Sequence, residues 1–393
     1  MKNKIAYICN TYIRNYGSIL QSYALYVKLK QLGFETDVID YKDIPNTFEA
    51  QFKQTLFLRI PMLFKYSELK KKFLSIKTRK NKKYNEILHQ RYHAMDVFVN
   101  ENFTFTKHCD TINDVQKVIK DYNCVFIGSD QLWGVAEILR GYHTLNFVPD
   151  NQPKISYATS FGVSRLPYFV KNKTRNFLKR IEFLSIREKS GAEIIKTLAA
   201  RNAKVVVDPT LLLSSSDWSL VVGNERRISE KYIFCFFLGN NPDQRDFAKR
   251  FGKKVNLPIV SMQHVDEFIP SDTNFADINI NDASPNDFIN LIKNAEYIIC
   301  DSFHASVFSI IFKKNFYTLD RYKSSSANSR NTRITSLFSI LDIENRHIDI
   351  HSDIDKLIRI TTDYNHVHEK WYDWKRESLN YLKESLDKAF NND

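Results

Sequence analysis

The sequence predicts an α/β protein built from two tandem domains, each with a parallel sheet covered by helices. Its 393 residues exceed what one hydrophobic core of about 250–300 residues accommodates. Short apolar runs alternate with helical patterns along most of the chain, which is typical of parallel sheets buried on both faces. The alternation restarts at residue 232. We therefore expect domains at 1–215 and 216–365, followed by a C-terminal helix at 366–393 that packs back on the first domain.

The first domain is predicted to begin with a βαβ unit. Residues 5–9 form an apolar strand, residues 18–32 carry a helical pattern ended by Gly33, and residues 37–41 form the next strand. Further short strands are predicted at 124–127, 154–159, 183–186 and 205–207. Residues 50–105 are charged and mainly helical in pattern, so we expect a basic helical insertion there.

The second domain repeats this alternation. Strands are predicted at 232–238, 257–262, 297–300 and 316–319. Ser284 and Pro285 open a helix as its N-cap and first residue. A polar loop is expected at 321–333. The tail at 367–390 is helical in pattern, and one possible buried face consists of Trp371, Trp374, Leu382 and Leu386.

Composition narrows the class of protein. No run reaches the roughly 18 apolar residues of a membrane helix, and the apolar run at the start is too short for a signal peptide. We therefore expect a cytoplasmic protein. Five scattered cysteines without CxxC spacing favour reduced thiols over a disulfide framework or a zinc site.

The net charge of +12 is partly concentrated in one segment. Nine Lys or Arg residues lie within 65–83, directly after the apolar segment Leu56–Phe64. An apolar segment followed by a basic one is typical of peripheral contact with an anionic membrane. The alternative is a solvated linker helix. We expect no nucleic-acid partner, because no helix-turn-helix, RNP or zinc-finger pattern accompanies the charge.

The segment Asp301-Ser302-Phe303-His304 is the strongest functional signal. It joins an apolar strand to an apolar helix, with Asp301 or Ser302 as N-cap, and therefore places His304 in the first helical turn. The N–H groups of a helix start favour anions, and an imidazole beside them is able to move a proton at neutral pH. A histidine that only caps or packs is the alternative.

Other polar residues follow the remaining predicted strands. Ligands of open α/β sheets bind beyond the carboxyl ends of the strands. The candidates there are Asn15, Tyr16, Gly17, Ser129, Asp130, Gln131, Trp133, Arg187 and Asp208. Each residue alone could also have a purely structural role, such as a turn glycine, a helix cap or a partner in a surface ion pair. Together they indicate a polar cleft for an anionic ligand.

Several segments, in the same order, resemble the polysaccharide pyruvyl transferase family. They are Asn15–Gln21, Ile127–Trp133, Ser156–Gly162, Ser185–Glu188, Asp208–Thr210, Asp301–His304 and Asn331–Ile334. The resemblance spans about residues 5–345. It implies two Rossmann-like domains arranged as in GT-B enzymes, with phosphoenolpyruvate as the donor between them. The product it implies is a cyclic pyruvate ketal on a sugar, from an acceptor expected to be a lipid-linked oligosaccharide.

The resemblance also implies roles for residues. His304 would be the general acid and Arg187 a contact to the donor anion. Many relatives carry arginine where this chain has Ser302, so Arg187, Arg330 or Arg333 must carry more of the ligand's charge. We expect a base in Asp130 first and Asp208 second, and further substrate contacts from Ser302 and Phe303. We expect no cofactor and no protein metal site; the sequence leaves open whether a divalent cation takes part.

Two other functions remain open at this point. A GT-B glycosyltransferase with a nucleotide-sugar donor would share the implied fold, because fold does not dictate function. It would need a base pocket and a diphosphate site. A non-catalytic glycan- or anion-binding protein would bind ligand without turnover.

Overall fold

The N-terminal half is organised around a six-stranded parallel sheet in the computed structural model, which describes residues 3–42, 82–262, 264, 269–321 and 332–391. The strands are β1 (Lys4–Ile8), β2 (Glu35–Val38), β3 (Cys124–Asp130), β4 (Lys154–Thr159), β5 (Phe183–Ile186) and β6 (Lys204–Val205). Their spatial order is β2-β1-β3-β4-β5-β6. The chain therefore reverses its direction of winding between β1 and β3.

Three helices of this half begin at a capping side chain, namely α1, α3 and α7. They are α1 (Tyr16–Gln31), α2 (Lys82–Asn102), α3 (Ile112–Val118), α4 (Val135–Arg140), α5 (Tyr168–Arg180), α6 (Lys189–Ala199) and α7 (Ser215–Val222). Asn15 caps α1 by accepting from the N–H of Ser18 at 3.2 Å. Ser214 forms a reciprocal capping box with Asp217 at the start of α7. Helix α2 is the described part of the expected insertion; residues 43–81 lie outside the described residues.

The C-terminal half contains a second six-stranded parallel sheet. Its strands are β7 (Ile233–Phe236), β8 (Ile259–Ser261), β9 (Ile278–Asn279), β10 (Tyr297–Cys300), β11 (Asn315–Leu319) and β12 (His347–Ile348). The order β12-β11-β10-β7-β8-β9 is that of a Rossmann sheet. The helices are α8 (Pro242–Val255), α9 (Pro285–Asn294), α10 (Phe303–Ile311), α11 (Thr332–Leu341), α12 (Ile354–Arg359) and α13 (Tyr364–Phe390).

The predicted strands are confirmed in type and place, with ends shifted by a few residues. Every residue of β4 is buried, as expected for a strand covered on both faces. The short edge strands β9 and β12 were not predicted. Arg333 lies in the first turn of α11 rather than at the end of a loop, and residues 322–331 of that expected loop lie outside the described residues.

Helix α13 lies against residues of the N-terminal half. Trp371 donates its indole N–H to the carbonyl of Leu211 at 2.9 Å, and the Ser378 hydroxyl accepts from the N–H of Val207 at 3.0 Å. Trp371, Leu382 and Leu386 are buried, and Trp374 packs against the same core, so the predicted face is correct. The domain limits themselves stay a prediction.

The carboxyl edges of the two sheets meet, and this positions the site. Tyr16 at the start of α1 donates its hydroxyl to the carbonyl of Ala283 at 2.7 Å and stacks on Phe288 of α9. Helices α1 and α10 each begin at the point where one sheet reverses its winding. Residues that follow β1, β3, β5 and β10 are therefore brought together.

Within the described parts of the chain, no helix is both long and apolar enough to cross a bilayer. All five cysteines are free thiols, and four of them are buried.

Candidate active site

The turn between β10 and α10 is fixed by two side chains. Ser302 is the N-cap, and its hydroxyl accepts from the N–H of Ala305. The Asp301 carboxylate accepts from the N–H groups of Leu238 at 2.7 Å and Gly239 at 2.8 Å. Asp301 thus ties the end of β10 to the end of β7, and His304 lies in the first turn of the helix as predicted.

The ring of His304 lies between the two halves of the molecule. Its Nε2 is 3.7 Å from a carboxylate oxygen of Asp208, and only 9% of the side chain is exposed. On the other side the ring covers Gly17 so closely that a Cβ there would collide with Nδ1. Glycine is therefore required at position 17 by the close approach of the imidazole.

Asp208 lies beside His304 and forms an ion pair with Arg187. Its Oδ2 accepts from Arg187 at 2.7 Å, while its Oδ1 accepts from the N–H and the hydroxyl of Thr210. Burial opposes ionisation of this carboxyl, but His304, Arg187 and Thr210 overcome that effect and hold its pKa well below the usual range. Asp208 is therefore ionised and fixed in place.

Arg187 connects Asp208 to Asp130. Its second guanidinium nitrogen lies 3.1 Å from Asp130, whose other oxygen accepts from the Ser18 hydroxyl at 2.5 Å. Burial again opposes ionisation, but Arg187, His304, Arg333 and Ser18 lower the pKa of Asp130 to about 2. The backbone of Asp130 has a φ of 73°, a left-handed conformation of the kind found at functional sites.

Arg333 also belongs to this cluster, and its positive charge is less fully balanced by carboxylates than that of Arg187. It lies 3.8 Å from Asp130, and among the described residues nothing accepts from its buried Nε. Its guanidinium lies 5.5 Å from the centre of the Phe303 ring, and that of Arg187 lies 5.1 Å from the same ring. Burial and the neighbouring Arg187 lower the pKa of Arg333 to about 9, so it stays protonated at neutral pH but gains from any added anion.

Free backbone donors lie beside these charges. Among the described residues, nothing accepts from the N–H of Phe303 or of His304 in the first turn of α10. Both guanidiniums lie within 5.5 Å of the centre of the ring of Phe303, the residue that carries one of these donors, so the arrangement suits an anion such as phosphate. No three His, Cys, Asp or Glu side chains of the described chain converge as metal ligands would.

Three predicted ligand residues lie away from the cluster. Tyr16 packs between α1 and α9, the Ser129 hydroxyl donates to the carbonyl of Ala158 at 3.0 Å, and Trp133 is buried with its indole N–H on the carbonyl of His143. Strand and turn geometry directs these three side chains into the core, and their expectation as substrate contacts stays a prediction. Asn15 is the cap of α1, and Gln131 lies half-buried beside Gly162. Arg330 lies outside the described residues.

Three residues were not identified from the sequence. Ser18 binds Asp130, and Arg321 lies near Asp301, with 3.6 Å between its Nε and the carboxylate. Glu188 is buried beside Arg187 and accepts from the Ser160 hydroxyl at 2.8 Å. Burial raises the pKa of Glu188 despite Arg187 and Ser160. The sequence signal for Ser18 and Glu188 is their place in the family-like segments Asn15–Gln21 and Ser185–Glu188, beside Gly17 and Arg187.

A family model for polysaccharide pyruvyl transferases matches residues 15–324. The chain belongs to this family. The match includes every residue of the cluster except Arg333. No curated protein sequence matches the chain.

Solved structures show that this polysaccharide pyruvyl transferase family member has a GT-B-like fold. The UDP-GlcNAc 2-epimerase of Methanocaldococcus jannaschii superposes with a TM-score of 0.55 at 13% identity, over 98% of this chain and 100% of that chain. A protein described as a UDP-N-acetylglucosamine 2-epimerase from Listeria monocytogenes gives 0.52 at 10% identity, over 100% and 97%. An alpha-glucosyltransferase in complex with UDP and DNA gives 0.52 at 11%, over 99% and 100%. At these identities the likeness concerns the fold alone.

Proposed function

We propose that the chain transfers the enolpyruvyl group of phosphoenolpyruvate to two hydroxyls of a sugar, forming a cyclic pyruvate ketal and releasing phosphate. The acceptor is a polysaccharide or its lipid-linked precursor. Membership of the family supports this class of reaction. The observation that carries the proposal is His304 in a helix start, 3.7 Å from a fixed carboxylate and beside two arginines.

The donor's anionic groups go to the first turn of α10. The free N–H groups of Phe303 and His304 and the guanidinium of Arg333 supply donors and positive charge. Arg333 supplies the positive charge that many relatives provide with an arginine at the position of Ser302. Arg187 is already paired with two carboxylates, so its contribution is mainly to hold Asp130 and Asp208.

Proton transfer begins at His304. The methylene carbon of phosphoenolpyruvate must gain a proton before its central carbon becomes electrophilic, and an imidazolium supplies it. Asp208 provides a fixed negative charge to that imidazolium. The first acceptor hydroxyl then bonds to the central carbon, the carbon–oxygen bond to phosphate breaks, and the second hydroxyl closes the ketal. Of the two hydroxyl protons, one restores His304 and the other leaves with phosphate.

The choice of base follows from the carboxyl groups of the cluster. Asp130 has a pKa of about 2 and is engaged by Ser18 and Arg187, so it is a weak proton acceptor. Asp208 is held still lower. Glu188 has a raised pKa and among described residues no partner for its Oε2, so it accepts a proton more readily than either aspartate. The expectation of Asp130 as base stays a prediction, weakened by this contrast.

We place the reaction in the cytoplasm, with peripheral contact to the membrane that carries a lipid-linked acceptor. The apolar and basic segments at 56–64 and 65–83, on which that contact was first predicted, lie outside the described residues apart from the backbone of Lys82 and Lys83.

The test is acceptor-dependent release of phosphate from phosphoenolpyruvate. Purified protein is incubated with phosphoenolpyruvate and a library of lipid-linked glycans, and products are weighed by mass spectrometry. A mass gain of pyruvic acid minus one water is expected on one glycan class. Parallel reactions with UDP-sugars address the glycosyltransferase alternative. Sugar transfer from these donors, without use of phosphoenolpyruvate, would refute the proposal.

A further inference from the structure

Helix α5 presents an exposed aromatic pair at its start. Tyr168 is 87% exposed and Phe169 is 45% exposed. The turn that carries them is firmly anchored, because Leu166 before it and Val170 after it are both buried in the core of the N-terminal half. A tyrosine that is 87% exposed on an anchored turn leaves a large apolar ring in water without giving the backbone freedom to move, which is typical of a contact surface.

A basic stripe continues from this pair along the helix. Asn172, Arg175 and Lys179 follow Tyr168 at helical spacing, and all are exposed, while Lys171 borders them. The opposite face is buried in the core of the N-terminal half, where Phe177 packs against Trp133. The stripe therefore runs for about 16 Å, at a rise of about 1.5 Å per residue, along a convex surface.

Negative charge is missing from this segment. Residues 151–181 contain no Asp or Glu, although a helix start normally favours acidic residues. Pro167 occupies the N-cap and no side chain caps the helix, so its positive end adds to the charge of Lys and Arg. Aromatic rings beside basic side chains on a convex face match the headgroup region of an anionic bilayer.

The position of the helix relates this surface to the site. Helix α5 follows β4, which lies between β3, the strand that ends at Asp130, and β5, the strand that precedes Arg187. The aromatic pair therefore lies at the same carboxyl edge as the cluster. A bilayer that touched this turn would lie at the edge of the sheet that carries the cluster.

We propose that the first turn and exposed stripe of α5, with Tyr168, Phe169, Lys171, Arg175 and Lys179, dock the protein on an anionic lipid surface. The convex shape favours a membrane over a bound sugar, which would require a concave site. This surface is formed by a different segment of the sequence from residues 56–83, and it does not depend on the proposed reaction.

The experiment is co-sedimentation with vesicles of phosphatidylcholine containing three parts in ten of phosphatidylglycerol, without phosphoenolpyruvate or glycan. Each basic side chain near such a surface increases partition about fivefold. The triple variant Tyr168→Ser, Lys171→Glu, Lys179→Glu is therefore expected to bind at least about a hundredfold less than wild type. Wild-type binding should also fall with added salt and be weak on vesicles of phosphatidylcholine alone.

The matched control is Leu220→Ser, Lys249→Glu, Lys253→Glu. It removes an 86% exposed apolar side chain and reverses two exposed lysines of α8, with the same change in net charge. It should bind like wild type. Absence of wild-type binding, or an equal loss in both triple variants, would overturn the proposal. So would a Tyr168→Ser protein that binds vesicles normally but has a raised KM for a glycan acceptor, because the turn would then be a glycan subsite.

Discussion

His304 combines three properties of a proton donor at one residue: a place in a helix start, a fixed carboxylate at 3.7 Å, and burial. We expect His304→Gln to lower pyruvyl transfer about 100- to 10,000-fold, as loss of a general acid does, with little change in folding. The measurement is phosphate release under saturating phosphoenolpyruvate, with thermal unfolding of the same samples. His368→Gln is a matched control, because His368 is equally buried but lies on α13 and contacts the carbonyl of Ile310. Normal turnover of folded His304→Gln would contradict the role.

Replacement of Arg333 should mainly change donor binding, whereas replacement of Arg187 should mainly change the stability of the fold. Arg333 has weak internal pairing, so Arg333→Ala should raise the KM for phosphoenolpyruvate by ten- to a hundredfold, which corresponds to roughly 1.5–3 kcal/mol for a charge-assisted contact. Arg187→Ala would leave two buried carboxylates unpaired and should lower the free energy of unfolding by about 3–5 kcal/mol. Donor titrations and urea denaturation of both variants measure this contrast. A stable Arg187→Ala protein with weakened donor binding would reverse the two assignments.

Helices α1 and α10 illustrate how two element starts build one site. Gly17→Ala should favour helix formation by about 1 kcal/mol, yet its methyl group would occupy the space of the His304 ring. We therefore expect a large loss of turnover with little loss of secondary structure, measured by phosphate release and circular dichroism. Gly252→Ala is the control within α8, where the nearest atom would lie 3.3 Å from the new methyl group. Retained activity in Gly17→Ala would show that the ring is free to move away.

Helix starts were the most predictable elements of this chain, and side-chain direction the least. Ser284, Ser302 and Asp208 are caps because their short side chains accept from N–H groups two or three residues on, a local interaction that sequence reveals. Trp133 follows the end of β3 in a turn, where no periodic pattern shows that its side chain enters the core. The contact of Arg333 with Asp130 joins residues from opposite halves of the chain, so its discovery required the fold.

The cluster lies between the two halves of the molecule, and both halves contribute residues to it. Asp130, Arg187 and Asp208 come from the N-terminal half, and His304 and Arg333 from the C-terminal half. Arg187 and Asp208 are almost fully buried, and the cavity beside Phe303 has a volume of about 10 Å³, the space of one water molecule. This cavity alone does not accommodate phosphoenolpyruvate, which is larger than one water molecule. The charged cluster is thus also a contact that holds the halves together.

Because the cluster is both the candidate site and a contact between the halves, the free energy of unfolding should depend on pH in the acidic range. The pKa of Asp130 is lowered from 3.8 to about 2, so its ionised form stabilises the fold above pH 4, and the contribution disappears as the pH falls through 2. The shift corresponds to about 2 kcal/mol. We expect Asp130→Asn to lower the free energy of unfolding by about that amount at pH 7, and by about half as much at pH 3, measured by urea denaturation. Asp150→Asn, which removes an exposed partner of Arg180, should have little effect at either pH. A loss in Asp130→Asn that is equal at both pH values would mean that packing, rather than charge, makes Asp130 important for the closure of the two sheets.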